Sequence, residues 1–290
     1  MSLDVRRDVP LGPLTTYRVG GNASHYVQVD DDADLGDLVA LVRDLAVPTL
    51  VVGKGSNLLV ADAGFPGVAI VLGDAFAEVD IDGHRVRAGG ATPLPVLARR
   101  SAAAGLRGLE WAVGVPGSVG GGVRMNAGGH GSDIAASLVR VRVLDLGTGH
   151  YGVVLAADLA LGYRSSTIAA DQIVVWAELA AVDGDAEVAT AEIAEIVRWR
   201  REHQPGGQNA GSVFTNPPDD SAGRLVDTSG CKGLRIGSAE VSTKHANFIQ
   251  ADPGGSADDV LALIREVQRR VEESSGVRLE PELRLVGFAP

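Results

Sequence analysis

The sequence predicts an α+β protein, and three features of its patterning carry that reading. Apolar residues recur at helical spacing twice, at Leu35, Leu38, Val39, Val42 and Leu45 and again at Val260, Leu263, Ile264, Val267 and Val271. Between these stripes, the alternation of Val139, Val141 and Val143 with Arg140 and Arg142 has the period of a half-buried strand. Two glycine-rich loops, Gly53-Lys54-Gly55-Ser56-Asn57 and the run from Val113 to Gly129, each follow an apolar stretch. Glycine is costly to order unless a positive φ or a close backbone approach requires it, so either loop alone reads equally as an ordinary tight turn, and the two together read as ligand-binding turns set between regular elements.

In chain order, the first helical stripe stops before Pro48, and Thr49 to Val52 reads as a short buried strand entering the first glycine loop. Asp82-Gly83, flanked by Val79-Asp80-Ile81 and Arg85-Val86-Arg87, signals a hairpin. Thr92 as cap and Pro93 as first residue start a helix that Gly105 can end. Strands follow from Val139 and over Ile173 to Ala177, and a helical pattern through Ile193, Ile196 and Val197 runs into the basic residues Arg198, Arg200, Arg201 and His203. Ser256 and Asp259 have capping-box-like spacing ahead of the last stripe, and Gly276 can end it. A domain boundary is placed near residue 190.

A net charge of −11 argues against general nucleic-acid binding, which needs a positive surface, and aromatic residues at 4% leave few base-stacking platforms. The N-terminus lacks the apolar core of a signal peptide, and no run of about 18 apolar residues suits a membrane span. A single cysteine, Cys231, excludes an intrachain disulfide. The expectation is a cytoplasmic monomer with small-molecule ligands, no nucleic acid and no membrane. Six scattered histidines without metal-ligand spacing indicate no metal site.

Neither glycine loop is a standard dinucleotide or P-loop fingerprint, since Gly53 and Gly55 lack the third glycine of GxGxxG and GxxxxGK[ST] is absent. Successive backbone N–H groups in such turns nevertheless suit a diphosphate. Three other places stand out: Arg164 among Gly162-Tyr163-Arg164-Ser165-Ser166, Ser212 within Gly211-Ser212-Val213-Phe214-Thr215-Asn216, and Glu282 in Leu279-Glu280-Pro281-Glu282-Leu283. Taken singly, Arg164 serves equally as a surface ion pair, Ser212 as a turn cap and Glu282 as a solvated strand residue.

Taken in order, these stretches resemble the UDP-N-acetylenolpyruvoylglucosamine reductase family. The resemblance rests on Thr16-Tyr17-Arg18-Val19-Gly20-Gly21-Asn22-Ala23, Gly53-Lys54-Gly55-Ser56-Asn57-Leu58-Leu59-Val60, Gly114-Val115-Pro116-Gly117-Ser118-Val119-Gly120-Gly121 and Met125-Asn126-Ala127-Gly128. It continues through Gly162-Tyr163-Arg164-Ser165, Ala210-Gly211-Ser212-Val213-Phe214, Lys244-His245-Ala246-Asn247-Phe248 and Leu279-Glu280-Pro281-Glu282. The set covers nearly the whole chain.

The resemblance implies an FAD-binding fold of the vanillyl-alcohol-oxidase type, with subdomains over residues 1–72 and 73–190 and a C-terminal α+β substrate-binding domain over 191–290. It implies non-covalent FAD, NADPH as co-substrate and a UDP-sugar substrate. Gly53, Lys54, Gly55, Ser56, Asn57, Leu58, Gly117, Ser118, Gly120 and Gly121 would surround the FAD diphosphate. Arg164, Ser212 and Glu282 match the catalytic positions; Tyr163, Asn216 and His245 match substrate-contacting ones. Longer members carry a tyrosine-bearing loop between the Arg164 and Ser212 positions; no tyrosine lies there, so the chain resembles the shorter form. Lys232 and the Arg198–His203 cluster are the expected substitutes at the UDP diphosphate. Two rivals remain at this point: a sugar oxidase of the same flavin fold, and an FAD electron-transfer subunit serving a partner protein.

Overall fold

The structure, a computed structural model, describes residues 3–289. The chain divides into two compact units. One comprises residues 25–54 and 67–200 with the N-terminal stretch through Arg7; the other comprises residues 8–24, 55–66 and the stretch from Arg201 onward.

In the first unit, α1 (Asp34–Leu45) buries Leu35, Leu38 and Val39 in a cluster with Val27, Val29, Val68 and Ile70. The helix ends on Ala46 in a left-handed turn, and after Val47 and Pro48, Thr49–Val51 forms a strand parallel to Phe65–Leu72 with Thr49 opposite Val68. A five-stranded antiparallel sheet follows, in the order Tyr151–Leu155, Leu138–Asp145, Gln172–Ala180, Arg85–Gly89, Val79–Asp82. Its central strand is longer than the sequence pattern suggested, and Ile173, Val174, Val175, Ala177 and Leu179 are all buried, as expected of a strand covered on both faces. The helices α2 (Leu94–Ala103), α3 (Val119–Arg124) and, as far as Arg200, α4 (Ala186–His203) also belong to this unit, with Leu94, Leu97, Val119 and Ile193 in one core with Val86, Val141 and Ala177. Residue 190 lies inside α4, and the compact units divide between Arg200 and Arg201.

Two local expectations need correction. The strand begins at Leu138 and its register shifts between Leu138 and Arg140, so Leu138 and Val141 are buried while Val139 is only half-buried; a bulge breaks the simple alternation. Thr92 does not cap α2: its hydroxyl donates to the Glu78 carbonyl at 3.3 Å, and the helix starts at Leu94 with no side-chain cap. The hairpin signalled by Asp82-Gly83 forms, closing with Asp82 opposite Arg85 and with Gly83 at φ +52° in the first turn position.

In the second unit, a three-stranded antiparallel sheet of Arg235–Ile236, Ala239–Val241 and Ile249–Ala251 packs with α5 (Ala222–Thr228) and α6 (Ala257–Ser275). The stripe Val260, Leu263, Ile264, Val267 and Val271 is fully withdrawn from solvent, each side chain contributing about 1.5–3 kcal/mol. Ser256 Oγ accepts the N–H groups of Asp258 and Asp259, and Gly276 (φ +73°) ends the helix, as the sequence predicts. A second cap comes from far away, for the Asp62 carboxylate accepts the Ala257 and Asp258 N–H groups at 3.0 and 3.2 Å. Leu58–Val60 pairs in parallel with Arg284–Val286, Leu58 opposite Arg284. Among the described residues no helix is long and apolar enough to cross a membrane, and no group of three or more His, Cys, Asp or Glu side chains is placed to hold a metal ion.

Candidate active site

Each unit carries its own share of the sequence-predicted residues. In the first, the strand Thr49–Val51 delivers the chain into Gly53 and Lys54, with the Val52 N–H still donating to Ile70. The second glycine loop is held by backbone bonds to the turn after Arg85–Gly89: Gly120 N–H donates to Gly90, Val119 N–H to Thr92, and Leu94 N–H to Gly117. Ser118 caps α3, its Oγ accepting the Gly121 N–H at 3.3 Å. The two loops touch, because a Cβ on Gly53 would stand 2.4 Å from Ser118 Oγ.

Gly53, Lys54, Ser118, Gly120 and Gly121 line one cleft of about 610 Å³, open at its mouth, with Gly90, Arg124, Gln172 and Val174. A Cβ at Gly90 would sit 1.9 Å from the Val174 carbonyl, so the floor is built of backbone in close contact. These features fit FAD: a glycine cradle for a diphosphate, flanked by an apolar wall of Val51, Val71, Leu72 and Ala91. Gly117 supports the loop from behind through its bond to Leu94. Gly90, Arg124 and Gln172 were missed by sequence reading, since no local pattern announces which residues a distant strand will bring to a cleft.

Arg164 sits at φ +54° inside a tight turn in which Gly162 and Ser165 exchange backbone hydrogen bonds of 3.0 and 3.2 Å. Such a conformation costs a non-glycine residue about 1–3 kcal/mol and needs outside support. Asn126 supplies it. Buried at 4% exposure, Asn126 donates Nδ2 to Gly162 O at 2.9 Å while its Oδ1 accepts the Ala135 N–H at 2.9 Å. The Arg164 guanidinium lies 5.3 Å from the Tyr163 ring centre and donates Nη1 to Gly128 O, tying the turn back to the glycine run. Tyr163 itself is 62% exposed.

In the second unit, the segment after Ser212 is held on both sides. Val213 N–H donates to Asn247 O at 2.8 Å, Glu282 N–H donates to Val213 O at 2.7 Å, and Thr215 N–H donates to Glu280 O. Ser212 and Glu282 therefore stand on adjacent paired segments. Asn57 joins them, donating Nδ2 to Glu282 O at 3.0 Å while its own carbonyl accepts the Arg284 N–H. Gly55 (φ +60°) packs so tightly that a Cβ would meet Leu14 O at 2.1 Å, and the Leu58 side chain is buried in the strand that follows Ser56 and Asn57. Gly53 and Lys54 belong to the first unit and Gly55 to Leu58 to the second.

Asn216, Lys232 and His245 gather around α5. Asn216 Oδ1 accepts the Ala222 N–H at the start of the helix, and a Cβ on Gly223 would lie 3.4 Å from His245 Cε1. His245 Nδ1 accepts the Asn247 N–H at 3.2 Å, which leaves its proton on Nε2 when the ring is neutral. Burial holds the His245 pKa below the usual imidazole value, and the Lys232 charge adds to the shift. Lys232 turns its ammonium to Asp227 at 2.7 Å. The basic cluster does not form a single patch: Arg198 faces Glu195, and Arg200, its pKa lowered by burial, donates to the Gly114 carbonyl.

A family model described as an FAD binding domain matches residues 23–153, and one for the UDP-N-acetylenolpyruvoylglucosamine reductase C-terminal domain matches residues 203–286. The chain is 41% identical over 288 residues to UDP-N-acetylenolpyruvoylglucosamine reductase 2 of Symbiobacterium thermophilum, covering 99% of this chain and 93% of that protein. It is 43% identical to the Heliobacterium modesticaldum reductase over 281 residues, 96% and 89% of the two chains. The crystal structure of the Thermus caldophilus reductase superposes with a TM-score of 0.85 at 38% identity, covering 98% of this chain and 99% of that one. The chain belongs to the UDP-N-acetylenolpyruvoylglucosamine reductase family of FAD-dependent oxidoreductases, with a flavin domain of the vanillyl-alcohol-oxidase type followed by the family's own C-terminal domain.

Proposed function

We propose that this chain reduces the enolpyruvyl group of UDP-N-acetylglucosamine enolpyruvate to give UDP-N-acetylmuramate, with NADPH as electron donor. The observation that carries this reading is the pairing of the Val213 and Glu282 backbones, which sets Ser212 and Glu282 on neighbouring segments of the unit matched by the family's C-terminal domain. FAD, when bound, carries the two electrons from NADPH to the enolpyruvyl methylene carbon.

The residues of this chain then have distinct tasks. Negative charge develops toward the substrate carboxylate during reduction, and Arg164 stabilises it through its planar fork of donors. Glu282 orients or polarises the same carboxylate. Ser212 donates its hydroxyl proton to the adjacent carbon. Serine is a weak acid, so this transfer needs a strongly basic enol and a site that excludes water. Tyr163, Asn216 and neutral His245 contact the substrate, and Lys232 exchanges Asp227 for the UDP diphosphate. Of the first glycine loop, Gly53, Lys54, Gly55, Ser56, Asn57 and Leu58 hold FAD together with Gly117, Ser118, Gly120 and Gly121. By function the chain divides into residues 1–72 and 73–190 for the flavin and 191–290 for the substrate, and it works as a cytoplasmic monomer.

The test separates the two half-reactions. General acid catalysis contributes roughly a hundred- to ten-thousand-fold, or about 3 to 5 kcal/mol of barrier. Stopped-flow absorbance of Ser212→Ala is expected to show flavin reduction by NADPH nearly intact and reoxidation by the enolpyruvyl sugar slowed about a hundredfold or more. Equal loss in both steps would remove Ser212 from the proton-donor role.

A further inference from the structure

Residues three and four apart are neighbours on a helix, so α3 presents Gly120, Gly121 and Arg124 on one face. All three line the cleft shared with Gly53, Lys54 and Ser118. At Gly121 the missing side chain opens that cleft, since a Cβ there would find only Ser118 Oγ, at 3.4 Å, within contact range. Arg124 stands about one helical turn further along α3 and lines the same cleft as Ile168 and Gln172.

Arg124 is half-buried, and burial lowers its pKa, with the Asp171 charge opposing the shift. Its backbone carbonyl accepts the Ser166 hydroxyl at 2.7 Å, whereas its guanidinium has no hydrogen bond or ion pair among the described residues. A guanidinium drawn out of water without an acceptor is costly, and one placed against a phosphate makes short, strong, often bidentate bonds. Gln172, which lines the same cleft, is already committed: its Oε1 accepts the Ala169 N–H and its Nε2 donates to Asp145. The remaining wall is backbone and aliphatic side chain.

We propose that Arg124 binds the diphosphate of FAD, and that through it the protein selects the dinucleotide over flavins lacking that group. The proposal rests on the assignment of this cleft to FAD. In oxidised FAD the diphosphate carries the negative charge and the isoalloxazine is neutral, so an unpaired cation in the cleft has one matching partner on the ligand. Lys54 also lines the cleft but is exposed, and its charge is screened by solvent. Arg124 supplies the directional contact.

The experiment titrates apoprotein with FAD and, separately, with riboflavin, following flavin fluorescence, for the native chain, Arg124→Gln and Arg124→Lys. Arg124→Gln is expected to weaken FAD binding about 10- to 100-fold and to leave riboflavin binding unchanged. Arg124→Lys keeps the charge but loses the fork, so its FAD affinity falls between the two and drops more steeply with added salt. Should Arg124→Gln fail to fold by circular dichroism, the comparison of Arg124→Lys with the native chain on the same two flavins decides. Undiminished FAD affinity in the variants, or an equal loss for both flavins, overturns the role of Arg124. A native chain that takes up neither flavin overturns the FAD assignment of the cleft instead.

Discussion

Asn247 holds the backbone of Phe214 from both sides, accepting its N–H on Oδ1 at 3.0 Å and donating Nδ2 to its carbonyl at 2.9 Å. The side chain thus imitates a neighbouring strand, and with its own carbonyl on Val213 N–H it fixes the segment that carries Ser212. Both Phe214 groups are buried with it, at 2% and 4% exposure for the two residues. Asn247→Ala strands two buried polar groups, each costing about 1–3 kcal/mol. The expected result is a lower urea midpoint together with a loss of kcat. Asn247→Asp keeps the acceptor and loses the donor, so it should recover only part of the stability.

The contact between Gly53 and Ser118 makes a compensating pair testable. Gly53→Ala drives a methyl to 2.4 Å from Ser118 Oγ, and moving that oxygen breaks the cap on Gly121. Purified Gly53→Ala should hold substoichiometric FAD by its visible absorbance. Adding Ser118→Ala removes the clashing oxygen and leaves Ser118 Cβ at an ordinary 3.4 Å, so the double variant should regain flavin despite losing a cap worth about 0.5–2 kcal/mol. A double variant no better than Gly53→Ala would show that the methyl obstructs the cofactor itself.

His245 gives a pH signature. Its folded pKa lies below the ordinary value of 6.5, chiefly through burial, so the unfolded chain binds its proton first as the pH falls. The contribution to stability is complete above about pH 6.5 and is lost on acidification from there down through the folded pKa. Urea unfolding of His245→Gln should show a flatter pH dependence in that window. Lys232→Met removes a neighbouring positive charge, and the His245 resonance should then titrate at higher pH by NMR.

Asp62 offers a control outside the flavin cleft. Its carboxylate accepts two N–H groups and the Ser256 hydroxyl at the start of α6, and Asp62→Ala should cost about 0.5–2 kcal/mol of stability. FAD content and the spectrum of the bound flavin should stay as in the native chain. Flavin loss at full stability would mean that the α6 cap has a role beyond the second unit's own fold.

The elements most legible in the sequence were those whose signals are local. The stripe from Val260 to Val271, with Ser256 before it and Gly276 after it, specifies α6 by periodicity and caps alone, and the first glycine loop falls where the apolar strand Thr49–Val51 ends, whereas the second follows a 3-10 turn over Glu110–Gly114. Thr92 misled because the same hydroxyl that caps a helix reaches the Glu78 carbonyl once the neighbouring strand is in place. Val139 misled because a bulge breaks a period-two pattern without leaving a mark in the residues themselves. The site residues divide in the same way. Asn126 and Asn247 were visible as members of conspicuous motifs, yet their work is on Gly162 and Phe214, 36 and 33 residues away. Nothing in the local sequence marks Arg124, and only the assembled cleft sets it apart.

The bond from Asn57 to Glu282 spans 225 residues, and the parallel ladder from Leu58 to Val60 closes over a similar stretch. Residues 55–66 therefore leave the ribosome long before the strand that pairs with them has been made. At roughly 5–20 residues per second, that delay is on the order of ten to forty seconds. Throughout it, Leu59 and Val60, both buried at the end, lack their partner strand. Loss of the last few residues by a late stop codon would thus remove the edge that completes the second unit, and the nascent chain would spend its synthesis with an apolar strand seeking a mate.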